Sequence, residues 1–172
     1  MADGAKSLAK AMEAMFHGHA VEEKTSIKQN RRSLNLIKDK EDEVVRVRLS
    51  PAPASMEART ADAVFACRSK TQPSLLVVIV ELKGSDVSHA LTQIEQTAER
   101  FCKASCASHG AGLAAGHNGL VLGVFSCRQG RQNQVESKKL RKKGIVLIHC
   151  KEYDLKVCEL RARIQKSSPK KA

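Results

Sequence analysis

The sequence predicts an α/β protein with a central mixed β-sheet flanked by helices. Three observations lead there. A six-residue apolar run, Leu75 to Val80, leads into Glu81-Leu82-Lys83 and stops at Gly84. An uninterrupted β-branched run of that length suits a strand buried on both faces. After Gly84 the apolar period changes from two to 3.6, with Val87, Ala90, Leu91, Ile94, Ala98, Phe101 and Cys102 on one helical face. A second apolar run, Leu120 to Phe125, follows that helix, so strand, helix and strand form a crossover unit.

The elements can be taken in order. Residues 5–24 are expected to be helical, because Leu8, Ala11, Met12, Met15 and Phe16 recur at three- and four-residue spacing. Leu34 to Leu36 reads as a short packed piece. Val44 to Leu49 alternates as a strand with Arg46 and Arg48 on one side, and Pro51 and Pro53 end it. Ala61 to Arg68 is the next strand, with Asp62 at its start. It is joined by a turn at Ser69 to Ser74 to the strand Leu75 to Leu82. These three strands are too closely spaced for crossover helices and should form a meander. Ser85 or Asp86 caps the long helix, which runs to about Cys106. The Gly-containing loop Ser108 to Gly119 lacks the spacing of a phosphate cradle. Arg128 to Lys143 is a polar, basic connection with a short helix around Glu136 to Leu140. Ile145 to Ile148 is another strand, and Leu155 to Ile164 a last helix. One domain is expected over residues 1–164, with a basic disordered tail over 165–172.

Composition narrows the function classes. The chain has 172 residues, is 42% hydrophobic and only 3% aromatic, and contains no Trp. A core of Val, Leu, Ile and Ala is implied, and base-stacking platforms are not. The net charge of +12 points to a polyanion, with nucleic acid the first choice. Residues 138–172 hold twelve Lys or Arg against three acids and supply nine units of that charge. Lys138, Lys139, Arg141, Lys142 and Lys143 are the densest part and the candidate phosphate contacts. Such contacts fix position on a backbone and read no sequence.

The six cysteines show no CxxC spacing, and Cys67, Cys127 and Cys150 sit in apolar runs as small buried hydrophobes. Cys102 and Cys106, with His109 nearby, match no usual zinc framework. No signal peptide or membrane span is read, so the chain is expected in the cytoplasm, or in the nucleus of a eukaryotic host. The C-terminal helix, with Tyr153, is assigned either to the core or to a homodimer contact.

The chemistry concentrates in three residues. Glu81 and Lys83 point to one face of their strand and Leu82 to the other. Asp62 starts the preceding strand, and in an antiparallel pair the start of one strand lies beside the end of the next. Two carboxylates at one rim suit Mg²⁺ or Mn²⁺, which takes one or two carboxylates and keeps several waters. The Leu82 backbone carbonyl is a candidate third ligand. Lys83 would hold or deprotonate a water, the logic of metal-assisted phosphodiester hydrolysis.

Asp62, eighteen intervening residues, and Glu81-Leu82-Lys83 at a strand end resemble the PD-(D/E)xK nuclease superfamily, the restriction-endonuclease-like fold. The order helix, three strands, helix, strand over residues 5–126 is similar to its αβββαβ core. The resemblance implies Mg²⁺-dependent cleavage of DNA, more rarely RNA. It makes Asp62 and Glu81 metal ligands and Lys83 the catalytic lysine, and it places Gln93 on the following helix beside the site. It also implies an acid on the first helix, for which Glu22 or Glu23 is the candidate. Two departures stand out: Ala61 precedes Asp62 in place of proline, and Thr97 follows Gln93 where one branch has tyrosine. The alternatives are a catalytically inactive nucleic-acid-binding or assembly module on the same fold, and a domain that binds an acidic protein.

Overall fold

A computed structural model describes residues 7–15, 20–29, 32–48, 60–71, 74–82, 86–109, 120–125, 134–150 and 154–167. In chain order the elements are α1 (Leu8–Met15), β1 (Ala20–Glu22), β2 (Ser26–Gln29), β3 (Arg32–Ile37), β4 (Asp42–Arg48), β5 (Ala63–Ser69) and β6 (Leu76–Glu81). They continue with α2 (Val87–His109), β7 (Leu120–Phe125), α3 (Gln134–Lys142), β8 (Ile145–His149), β9 (Asp154–Lys156) and α4 (Val157–Ser167). Six strands form one sheet in the order β1-β4-β5-β6-β7-β8, and β2-β3-β9 form a second.

The large sheet is mixed, as the crossover pattern requires. β4, β5 and β6 are an antiparallel meander, with Val47 opposite Val64 and Ala63 opposite Val80. β7 runs parallel to β6 after α2, and β8 parallel to β7 after α3. Every residue of β6 is buried, as its unbroken apolar run predicts. Alternation then divides the core in two. Val64, Ala66, Val77 and Ile79 meet Leu8 and Met12 of α1 and Ala90, Leu91, Ile94, Ala98 and Phe101 of α2. Ala63, Phe65, Cys67, Val78 and Val80 meet Leu34 and Leu36 of the small sheet and Leu160 and Ile164 of α4.

Close approach fixes one position in this packing. A Cβ added at Gly123 of β7 would sit 2.8 Å from both Ile94 Cγ2 and Leu147 Cδ2. A glycine there lets α2 and β8 side chains close over β7. Gly144 has a φ of 79° and turns the chain from α3 into β8, a left-handed conformation that glycine adopts without strain.

The structure departs from the sequence reading at both ends. Of the helix expected over 5–24, Leu8–Met15 is helical, while Ala20–Glu22 pairs with β4 as a strand. Half-buried Val21 packs against the core, so tertiary pairing overrides the continued helical spacing. β2 and β9 carry no strand pattern in the sequence: Ser26–Gln29 is mostly polar, and β9 is three residues long. Leu155 belongs to β9, not to the last helix, and α4 runs to Ser167, beyond residue 164. Cys67 and Cys150 are buried as expected, while Cys127 lies outside the described residues.

Two polar clasps hold layers together. Arg161 of α4 is buried and donates to the carbonyls of Cys67, at 2.9 Å, and Ser74, at 2.8 Å. Glu43 of β4 accepts the Leu8 N–H at the start of α1 and two hydrogen bonds from Arg68. Burial pushes the Glu43 carboxyl up, but the Arg68 and Leu8 donors outweigh it, and its pKa lies below the ordinary value.

Two outcomes follow. Gly123→Ala should cost about 1–3 kcal/mol by overpacking, read as a lower urea midpoint with unchanged slope. Because the Glu43 pKa is lowered by folding, its contribution is present above the unfolded pKa, about 4.3, and is lost as pH falls through the native value. Glu43→Gln should therefore lower the melting temperature at pH 7 and flatten its decline below about pH 4.3. An unchanged acid limb would contradict the assignment.

Candidate active site

The register that pairs Ala63 with Val80 sets Asp62 opposite Glu81, one position further along. Each acid then bonds to backbone of the other strand's end. Asp62 N–H donates to Glu81 Oε2 at 3.2 Å, and Leu82 N–H donates to Asp62 Oδ2 at 2.7 Å. Residue parity puts both acids on the sheet face that carries α2. The two are unequal in access. Glu81 is 0% exposed, whereas Asp62 is half-buried and lines an open cleft of about 510 Å³. Asp62, and not Glu81, is thus part of the cleft lining.

Helix α2 braces the chain just before β5. Asp86, four residues beyond Leu82, caps it by accepting the His89 N–H at 2.9 Å, and α2 begins at Val87. Gln93, predicted to flank the site, lines the cleft and donates through Nε2 to the Thr60 carbonyl at 3.0 Å. One turn on, fully buried Thr97 accepts the Ala61 N–H at 2.8 Å through Oγ1. Gln93 and Thr97 are four residues apart on one helical face and hold consecutive residues leading into Asp62. Leu82 meets Asp62 through its backbone while its side chain is buried in the opposite core cluster. Lys83 lies outside the described residues.

The cleft also has cationic lining. Lys28 of β2 and Arg46 and Arg48 of β4 line the same cleft. Arg46 donates to Glu22 through Nε and Nη2 and to the Ser26 carbonyl through Nη1. The Arg46 hydrogen bond is the main cause holding the Glu22 carboxyl below its ordinary range. Glu22 thus sits on β1 rather than on the first helix, as the ion-pair partner of Arg46, and Glu23 is exposed beside it. Lys28 and Arg48 are exposed and have no ion-pair partner among the described residues.

Comparison with family models, with curated proteins and with solved structures finds no match. The geometry therefore carries the reading alone.

The basic segment forms α3, with Lys138, Lys139, Arg141 and Lys142 exposed on the helix and Lys143 just after it. Part of its charge is engaged by α2. Lys143 Nζ lies 2.5 Å from Glu95 and 3.0 Å from Glu99, and Lys139 lies 3.8 Å from Glu95. Hydrogen bonds to Glu95 and Glu99 raise the Lys143 pKa above its ordinary value.

The donor set at the rim fits a small hard cation. A carboxylate offers two oxygens and about four lone-pair directions, so the N–H bonds from Asp62 and Leu82 do not by themselves exhaust either acid. Mg²⁺ needs only one or two carboxylates from the protein. No cluster of three or more His, Cys, Asp or Glu side chains occurs among the described residues, so Asp62 and Glu81 would be the whole side-chain contribution from them.

Sequence reasoning missed Thr97 as a brace and Lys28 as a wall. Thr97 was legible through its four-residue offset from Gln93. Lys28 lies in a polar stretch that carries no signal of its own. Thr97→Val should remove the acceptor of the part-buried Ala61 N–H and cost about 0.5–1.5 kcal/mol. Amide exchange resolved by residue checks this: Ala61 should lose protection well before the β6 amides, and equal protection would contradict the brace.

Proposed function

We propose that this chain is a Mg²⁺- or Mn²⁺-dependent nuclease on a restriction-endonuclease-like fold, hydrolysing phosphodiester bonds of DNA in preference to RNA. The observation that carries the proposal is the reciprocal placement of Asp62 and Glu81 at the ends of adjacent antiparallel strands, with Asp62 lining a cleft that Lys28, Arg46 and Arg48 also line. The order α1, the β4-β5-β6 meander, α2 and β7 supports the αβββαβ core.

In this reading Asp62, Glu81 and the Leu82 carbonyl would hold the cation. When bound, it would polarise a phosphoryl oxygen and acidify a coordinated water. Lys83 positions that water or takes its proton. Gln93 and Thr97 keep residues 60–61 in place, and so fix where Asp62 presents its carboxylate. The basic residues Lys138, Lys139, Arg141, Lys142 and Lys143 add long-range attraction for a polyanion.

A second reading has an observation of its own. The bonds from Asp62 N–H and Leu82 N–H satisfy carboxylate oxygens at a sheet end, and a purely structural clasp would look the same. The chain would then be a nucleic-acid-binding or assembly module without catalysis.

The deciding assay incubates the protein with single-stranded, duplex and branched DNA and with RNA, with Mg²⁺, with Mn²⁺ or with EDTA. Cation-dependent cleavage is expected. Asp62→Asn, Glu81→Gln and Lys83→Ala should each reduce it by about 100-fold or more while keeping the wild-type melting profile. A wild-type chain inert on every substrate would leave the binding-module reading standing.

A further inference from the structure

The cationic wall of the cleft is the strongest feature that the rim acids do not use. Lys28 and Arg48 come from different sheets, β2 and β4, and converge on one cavity that Asp62 also lines. Arg46 between them is held by Glu22, which leaves its neighbours as the cations without an acid partner among the described residues. Glu22 also feels Lys24 at 3.6 Å and the field of Arg48, so one carboxylate is shared among several cations. The local excess is positive, in a cavity whose lining includes Asp62, the acid proposed to hold a cation.

The α3 cations are placed less well. α3 packs on β8, which is three strands away from β5 in the sheet order. At 4.7–4.9 Å per strand that is about 14 Å from the strand that Asp62 precedes. Lys139 and Lys143 also share the carboxylates of α2.

We propose that Lys28 and Arg48 form the phosphate-binding subsite, gripping the sugar–phosphate backbone of the nucleic acid beside the Asp62 rim. The proposal rests on the nuclease reading for its ligand class, and it moves the close phosphate contacts from α3 to the cleft. Arg48 presents a planar fork to a phosphate and Lys28 a point charge. Both contacts read backbone and no bases.

The test measures binding of a fluorescein-labelled duplex and of a single strand in EDTA, so that no cleavage intervenes, over a range of salt concentrations. Lys28→Gln with Arg48→Gln is compared with Lys138→Gln with Lys142→Gln, which removes the same charge. Both pairs are exposed, and melting curves verify the fold. The cleft pair should weaken binding about ten-fold or more at low salt and reduce the magnitude of the log–log salt slope on duplex by about 1.8, for two lost contacts. Arg48→Lys should recover part of the affinity. The α3 pair should change affinity by less than the cleft pair. Wild-type affinity and slope in the cleft pair, with loss confined to the α3 pair, would overturn this subsite and leave the nuclease reading intact. A wild-type chain that binds neither probe would overturn both.

Discussion

The Asp62–Glu81 rim depends on two hydrogen bonds at the end of the β5–β6 ladder. Within the ladder, backbone N–H groups are met by backbone carbonyls. One position beyond it, side-chain carboxylates take over, with Glu81 accepting from Asp62 and Asp62 accepting from Leu82. The exchange brings two acids to one place and fixes both. Placing two acids together there is costly, because Glu81 is fully buried and neighbouring carboxyl groups disfavour each other's charged form. A rim built only for stability could close with neutral acceptors at less cost. A cation lodged between the carboxylates would turn that repulsion into attraction, and for this reason the arrangement is read as a site.

The surroundings are organised to keep the rim in place. β6 is fully buried from Leu76 to Glu81, so its end cannot shift without disturbing both core clusters. From α2, Gln93 and Thr97 hold the Thr60 carbonyl and the Ala61 N–H, and Asp86 sets where α2 begins. Arg161 ties α4 to the carbonyls of Cys67 and Ser74 at the opposite end of the β5–β6 pair. One end of the hairpin is thus closed by a buried arginine, while the other carries acids beside a cleft.

Much of this was legible in the sequence. The Leu75 to Val80 run, the change of period after Gly84 and the short links between strands specified the meander, α2 and β7. Asp62 and Glu81 were legible as neighbours because antiparallel pairing joins the start of one strand to the end of the next. What was hidden depends on contacts distant in sequence. Val21 becomes a strand residue only because β4 offers it an edge, and β9 becomes one only beside β3. Glu22 was expected on a helix near the site, and its role changed with that strand: it meets Arg46 instead. Lys28 carries no pattern, and its place in the cleft follows from a second sheet that periodicity cannot reveal.

The most direct measurement is a calorimetric titration of Mn²⁺ into the nucleic-acid-free protein, repeated with Asp62→Asn and Glu81→Gln. The account predicts a saturable site in the wild type, competed by Mg²⁺, and its loss in both variants with their folds intact. Equal binding in all three proteins, or no binding in the wild type, would contradict a cation site between these two acids.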